Sequence, residues 1–224
     1  MDSLDHLAGP AADLLGRVDE LLTAVGAPDD HPIWPLLRRA GALPGAVLGE
    51  VVALQPAPLA AAGPALRTLS SGYDHARHPL TGGEPWQGAG AEAYAAHRDA
   101  LATYLGGDGA ESLTGRLDAT ASYADAVADW MVHTRHTLAR TLAELLGSAE
   151  AVLVVTADHV AGPPAEPAAA AAEIGARVLA TVEQARERAY AVLHRWAPEL
   201  TGLPYPTPTG VGTGRFDTTT RVGG

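Results

Sequence analysis

The chain has no cysteine in its 224 residues, which removes disulfides, thiolate zinc sites, iron–sulfur clusters and cysteine nucleophiles from consideration. Aromatic residues make up only 5%, with a single Phe, although the hydrophobic fraction is 47%. Much of that apolar content is alanine, which favours closely approaching helices over a thick β-sandwich core. Positive charge is also scarce: 15 Lys+Arg stand against 26 Asp+Glu, a net charge of -11. With no basic stripe evident to reverse that bias, nucleic acid is not an expected partner. No uninterrupted apolar run reaches the length of a membrane span, and the start, MDSLDHLAGPAADLLG, is acidic and punctuated where a signal peptide would be basic and then apolar. The expectation is a chain with no transmembrane segment, made in the cytoplasm. A chain of this length buries a core without metal or crosslink.

What is present is helical periodicity. Leu4, Leu7, Ala11, Leu14, Val18, Leu21 and Val25 recur in steps of three and four, widened by Leu15 and Leu22, until Gly26-Ala27-Pro28 stops the pattern. Short helices are predicted near Pro35 to Ala40 and from Pro44 to about Leu54, and a longer one from about Pro58 to Ala76, with Leu59, Ala62, Leu66, Leu69 and Tyr73 on its stripe. After a Gly/Pro-rich break the spacing resumes through Ala91, Tyr94, Ala95, Arg98, Leu101 and Leu105. Gly106-Gly107-Asp108-Gly109 then reads either as a loop or as a weak point within a longer arm. The longest run starts near Ala110 and continues through Val127, Met131, Thr134, Leu138 and Leu145 to Val152, roughly 40 residues and suggestive of elongated packing. A last helix carries Ile174, Val178, Val182, Ala185, Ala189, Val192 and Trp196. VLVVT at 152–156 has strand composition but extends a helical phase, so no sheet is predicted. The domain reading is one helical domain over 1–200 and, over 201–224, a flexible tail too rich in Gly, Pro and Thr to offset the entropy of ordering it.

The most specific feature is Trp86-Gln87-Gly88 between two helical segments. A tryptophan there can bury its ring against both helices, Gly88 can take a positive φ, and the small Ala91 with Tyr94 one turn on suits packing below the turn. The residues alone fit either an ordinary Trp-anchored hairpin or a dedicated recognition corner.

A helix, a Gly/Pro-rich approach, WQG, AGAEAY and a second helix together resemble the WXG100 superfamily, small helical hairpins exported by or associated with type VII secretion. The resemblance spans about Pro58 to Val160, and Trp86, Gly88, Ala91 and Tyr94 match its signature positions. It implies an all-α, elongated bundle built around a WXG-like helix-turn-helix hairpin. It also implies a non-catalytic role as secretion substrate or secretion-associated interaction module, with export after synthesis. The implied partner is a helical protein, a second copy or a component of the secretion system. The family's export signal, an aromatic residue followed four later by an acid, is matched only by Tyr104 with Asp108, inside the second arm rather than beyond it. The chain also departs from the family in its helices before and after the hairpin and in the GGDG interruption.

Two other classes remain as alternatives: a metal-dependent helical-bundle enzyme and a cytoplasmic helical adaptor. For the enzyme the sharpest group is Asp125, Asp129, His133 and His136, whose spacing places carboxylates and imidazoles on one helix face. Its phase is opposite the inferred core, which favours a solvated row of Asp–His pairs. His97, the His75/His78 pair and His159 lack a neighbouring nucleophile, the serines lack an elbow context, and GVGTG at 210–214 follows no strand. Trp34, Trp130 and Trp196 are expected at helix junctions. No metal, cofactor or catalytic residue is therefore assigned.

Overall fold

The computed structural model describes residues 2–82, 87–107, 109, 111–157 and 165–200. The chain is all-α: among the described residues there are eight α-helices, one 3₁₀ turn and no strand. The helices are α1 (Ser3–Ala24), α2 (Ile33–Ala40), α3 (Pro44–Val52), α4 (Pro56–Arg77), α5 (Ala89–Leu105), α6 (Leu113–Leu146), α7 (Ala149–Thr156) and α8 (Ala165–Trp196), with the 3₁₀ turn at His78–Thr81. The chain divides into two compact units. Of the described residues, one is formed by those up to Ala62 and by Tyr123–Trp196, the other by those in Gly63–Ser122 and 197–200.

In the first unit, α1 opens with a capping box in which the Asp2 carboxylate accepts from the Asp5 amide at 3.0 Å and the Asp5 carboxylate accepts from the Asp2 amide at 2.8 Å. The apolar stripe of α1 buries Leu4, Ala11, Leu14, Leu15, Val18 and Leu22, while Val25, predicted on that stripe, is 46% exposed at the frayed end. Helix α2 begins at Ile33, two residues before the predicted start, because Pro35 then occupies the third helical position, where a missing N–H leaves no bond broken. Pro44 opens α3 as predicted, but the helix stops at Val52.

Helix α8 is the alanine-rich wall of this unit. Ala168, Ala170, Ala171, Ala172, Ile174, Ala176, Val178 and Leu179 are buried, and a Cβ on Gly175 would lie 2.9 Å from Ile33 Cδ1 and 3.1 Å from Pro44 Cγ. The missing side chain lets α2 and α3 lie directly on α8. Trp130 Nε1 donates to the Ala185 carbonyl at 2.8 Å, so this tryptophan does sit at a helix junction, and Trp34 Nε1 closes the loop before α2 on the Pro28 carbonyl at 2.9 Å.

The long run predicted from Ala110 to Val152 is broken. Helix α6 ends at Leu146, and the Ser148 hydroxyl starts α7 by accepting from the Ala151 amide at 3.2 Å. The break rotates the phase, so α7 buries Ala151 and Val154 while Val152 is 61% exposed. Within α6 the predicted stripe is buried at Thr134, Leu138 and Leu145 and half-buried at Val127 and Met131, and the packed face is widened by the buried Ala128 and Arg135.

The second unit holds residues 63–77 of α4, the 3₁₀ turn, α5 and the first turns of α6. Gly106–Gly109 is a true interruption between α5 and α6. Ser112 organises it: its hydroxyl accepts from the Gly115 amide at 3.0 Å, capping α6, and lies 2.6 Å from the Gly107 carbonyl, to which it donates. A Cβ on Gly115 would lie 2.0 Å from the Gly109 oxygen, so the turn can fold back onto α6 only over a glycine. The packed face of α4 carries Gly63 and Ser70, whereas Leu69 and Tyr73, predicted on the stripe, are 54% and 41% exposed. Helix α5 has no buried residue. Trp86, Asp108 and the tail at 201–224 lie outside the described residues.

Candidate functional site

The WQG segment leads into α5, and the 3₁₀ turn that follows α4 packs against α5. Gly88 is the N-cap of α5 with φ 109° and ψ 176°, a conformation open to glycine and strained for any L side chain. Among the described residues, chain neighbours aside, nothing lies within 4 Å of where its Cβ would be, so the backbone angle selects glycine there. Arg98 fastens α5 to the segment before the turn by donating from Nη1 to the Gly82 carbonyl at 2.5 Å, while also pairing with Asp99 at 2.9 Å. Of the other signature positions, Ala91 is half-buried and Tyr94 is 51% exposed. Tyr104 is half-buried on α5. Its predicted companion Asp108 lies outside the described residues, as does Trp86. Leu69, Tyr73 and Tyr94 are the large apolar side chains exposed among the described residues of this unit.

A polar cleft of about 580 Å³ opens in the same unit between α4 and the start of α6, lined by Arg67, Ser70, Asp74, Thr114 and Asp118. Its floor is satisfied internally, since the buried Ser70 hydroxyl donates to the Thr114 carbonyl at 3.4 Å and the Thr114 hydroxyl to the Gly107 carbonyl at 3.3 Å.

In the first unit, the row proposed as a ligand set faces solvent: Asp129, His133 and His136 are exposed and Asp125 is half-buried. No group of three or more His, Asp or Glu side chains able to hold a metal ion occurs among the described residues. His133 Nε2 instead lies 3.4 Å from the Thr137 hydroxyl one turn on.

The strongest polar constellation is one that sequence pattern did not single out. Arg135 is 5% exposed on α6. Its Nε and Nη2 donate to Asp2 Oδ2 and Oδ1 at 2.6 and 3.0 Å, Nη2 also reaches Asp5 Oδ1 at 2.5 Å, and Nη1 donates to the carbonyls of Val51, Val52 and Leu54 at 3.3, 2.7 and 3.2 Å. One guanidinium thus joins the N-terminus of α1 to the C-terminal carbonyls of α3, complementing both helix ends. The hydrogen bonds from Arg135 hold the Asp2 carboxyl down at about 2 despite opposing desolvation. The Asp5 carboxyl is lowered chiefly by the Asp2 amide and then by Arg135. A cavity of about 580 Å³ adjoins this clamp along Leu54, Gln55 and Pro56.

A half-buried acid on the same helix has the opposite electrostatics. Asp19 of α1 accepts from the Gly45 amide at 3.1 and 3.3 Å through its two oxygens, standing in for the cap that Leu43 cannot supply to α3. Burial nevertheless pushes its carboxyl up to about 6, because one shared amide does not replace the lost hydration. A Cβ on Gly45 would lie 2.6 Å from Asp19 Oδ2, so this contact also requires glycine.

An apolar groove of about 440 Å³ runs between α1 and α7, with Leu14 and Ala151 as floor, Val152 and Val155 as rim, and Arg17 donating to the Val155 carbonyl at 3.2 Å. By length and composition, 44–80 holds one segment apolar enough to cross a membrane, with mean hydropathy 1.3 in its window and 17% of that window buried. The helix is interrupted there between Val52 and Pro56. The chain matches no family model, no curated protein and no solved structure.

Proposed function

We propose that the protein is a non-catalytic interaction module of the type VII secretion kind, binding a helical protein partner through the α4–α5 hairpin and leaving the cytoplasm by that route. The observation that carries this reading is the packing of the hairpin: α5 buries no side chain, while Leu69, Tyr73 and Tyr94 are 54%, 41% and 51% exposed. Amphipathic helices bury their apolar stripe against something, and these side chains are left for a partner's helices to cover. The WQGAGAEAY resemblance supplies the kind of partner, a helical hairpin or a second copy of this one. The Asp/His row favours this over the metal-enzyme reading because its side chains diverge into solvent rather than converge. The deciding experiment compares the culture fluid of a native host with its type VII pathway intact and disabled. Pathway-dependent appearance without lysis supports the reading; equal appearance in both fluids rejects export.

A further inference from the structure

We propose that His31, in the loop between α1 and α2, is a proton-operated latch: as a neutral ring it holds the start of α2, and as an imidazolium it releases that start and is held by Glu173 of α8. The first four N–H positions of an α-helix have no partner within the helix. In α2 they fall at Pro32, the N-cap, and at Ile33, Trp34 and Pro35. The two prolines carry no N–H. Both remaining donors are met by one residue, since the Trp34 amide donates to the His31 carbonyl at 3.3 Å and the Ile33 amide to His31 Nδ1 at 3.2 Å. Pro32 has no side-chain acceptor to offer in its place, and Ile33 is fully buried.

An amide N–H only donates, so Nδ1 is the bare nitrogen of the neutral ring and the proton sits on Nε2. Nε2 lies 3.6 Å from Glu173 Oε2. A proton taken up by this ring therefore goes to Nδ1, where it sets one N–H against another and ends the bond to Ile33. Positive charge is also disfavoured at a helix N-terminus. At the other nitrogen the same proton has the opposite effect, turning the contact with Glu173 into a charge-assisted pair. The side chain is only 14% exposed, so it exchanges one protein partner for another rather than turning to water. The charges that face it are few: Glu173 from α8, and Asp29 and Asp30 of its own loop with Arg38 of α2, which share with it a cavity of about 440 Å³. Among the described residues no charged side chain of α1 lines that cavity. Arg177, one turn beyond Glu173, is engaged by Glu144 at 2.8 Å. Three acids against one arginine hold an imidazolium in place while its bond to α2 is lost. Ile33 lies directly on Gly175 of α8, so its amide reports on the seam between the two helices. The proposal rests on α2 and α8 and not on the hairpin reading.

The test records amide hydrogen exchange and ring nitrogen spectra of the isotope-labelled full chain between about pH 8 and about pH 5, the range in which imidazoles change charge. Exchange is expressed as protection relative to the unfolded chain at the same pH, which removes its intrinsic pH dependence. At the upper end Nδ1 should be the bare nitrogen of His31 and the Ile33 amide should be protected. As the ring becomes charged, Ile33 protection should fall about tenfold or more. In His31→Asn, whose side-chain oxygen accepts from the amide two residues on at every pH, protection should stay level. In Glu173→Gln the fall should move to lower pH, because the imidazolium loses the counter-charge at Nε2. Asp19 also changes charge in this range, but its partner is the Gly45 amide, so its signature is read there and not at Ile33. A neutral ring bare at Nε2, level Ile33 protection in the parent, a fall that persists in His31→Asn, or a fall unmoved by Glu173→Gln would each overturn the proposal.

Discussion

Arg135 and Asp2 stand 133 positions apart and meet as a two-pronged pair, Nε to Oδ2 at 2.6 Å and Nη2 to Oδ1 at 3.0 Å, with the guanidinium buried and the carboxylate near the surface. Replacing Arg135 with Leu or Met therefore does more than remove a surface ion pair. It strips the carbonyls of Val51, Val52 and Leu54 of their donor and leaves the α1 carboxylates with only their capping-box amides among the bonds named above. The expected loss is about 3 kcal/mol or more, read by urea unfolding. Arg135→Lys should recover only part of it, because an ammonium cannot serve six acceptors spread over two helix ends.

Asp2 and Asp19 predict opposite slopes of stability against pH. Asp2 is held at about 2 against an ordinary 3.8, so its contribution is present above about pH 4 and drains away as pH falls toward 2. Asp19 is raised from 3.8 to about 6, so between those values the folded chain holds a proton that the unfolded chain has released. Stability from this group is full below about pH 4 and lost as pH rises through 6. The two together place their optimum near pH 4. Asp19→Asn should flatten the slope between pH 4 and 6 and leave the acid limb intact, as thermal melts across that range would register.

The Asp19–Gly45 contact should behave as a coupled pair. Gly45→Ala introduces a methyl 2.6 Å from Asp19 Oδ2 and should destabilise by roughly 1–3 kcal/mol. In an Asp19→Ala background the same change meets no carboxylate and should cost less. A double-mutant cycle in urea measures the difference, and additive costs would place the strain elsewhere.

Gly88 tests backbone conformation by itself. With φ 109° and no atom within 4 Å of its missing Cβ, Gly88→Ala and Gly88→Val should cost similar amounts, about 1–2 kcal/mol. A Val penalty far above the Ala penalty would point to crowding instead.

Helical content was legible because apolar spacing of three and four survives in α1, α3 and the early part of α8, where the stripe and the buried face coincide. It failed where one capping residue outweighs periodicity, as Ser148 restarts a helix in the middle of an unbroken apolar run, and it left open the glycine tract that ends at the Ser112 cap of α6. The phase of α6 is legible, but Arg135 on its packed face is not, because periodicity assigns arginine to solvent until acceptors from other helices are known. Neither Asp2 nor Val52 hints in sequence at a partner on α6.

The proposed binding of a partner through α4 and α5 is tested most directly by placing a photo-cross-linking amino acid at position 94 in the native host and comparing it with the same group at Ala12, an exposed position on α1. The account predicts one dominant adduct from position 94 to a single helical protein or to a second copy, absent from position 12 and abolished by Leu69→Glu. No discrete adduct from position 94, or the same adducts from both positions, would contradict it.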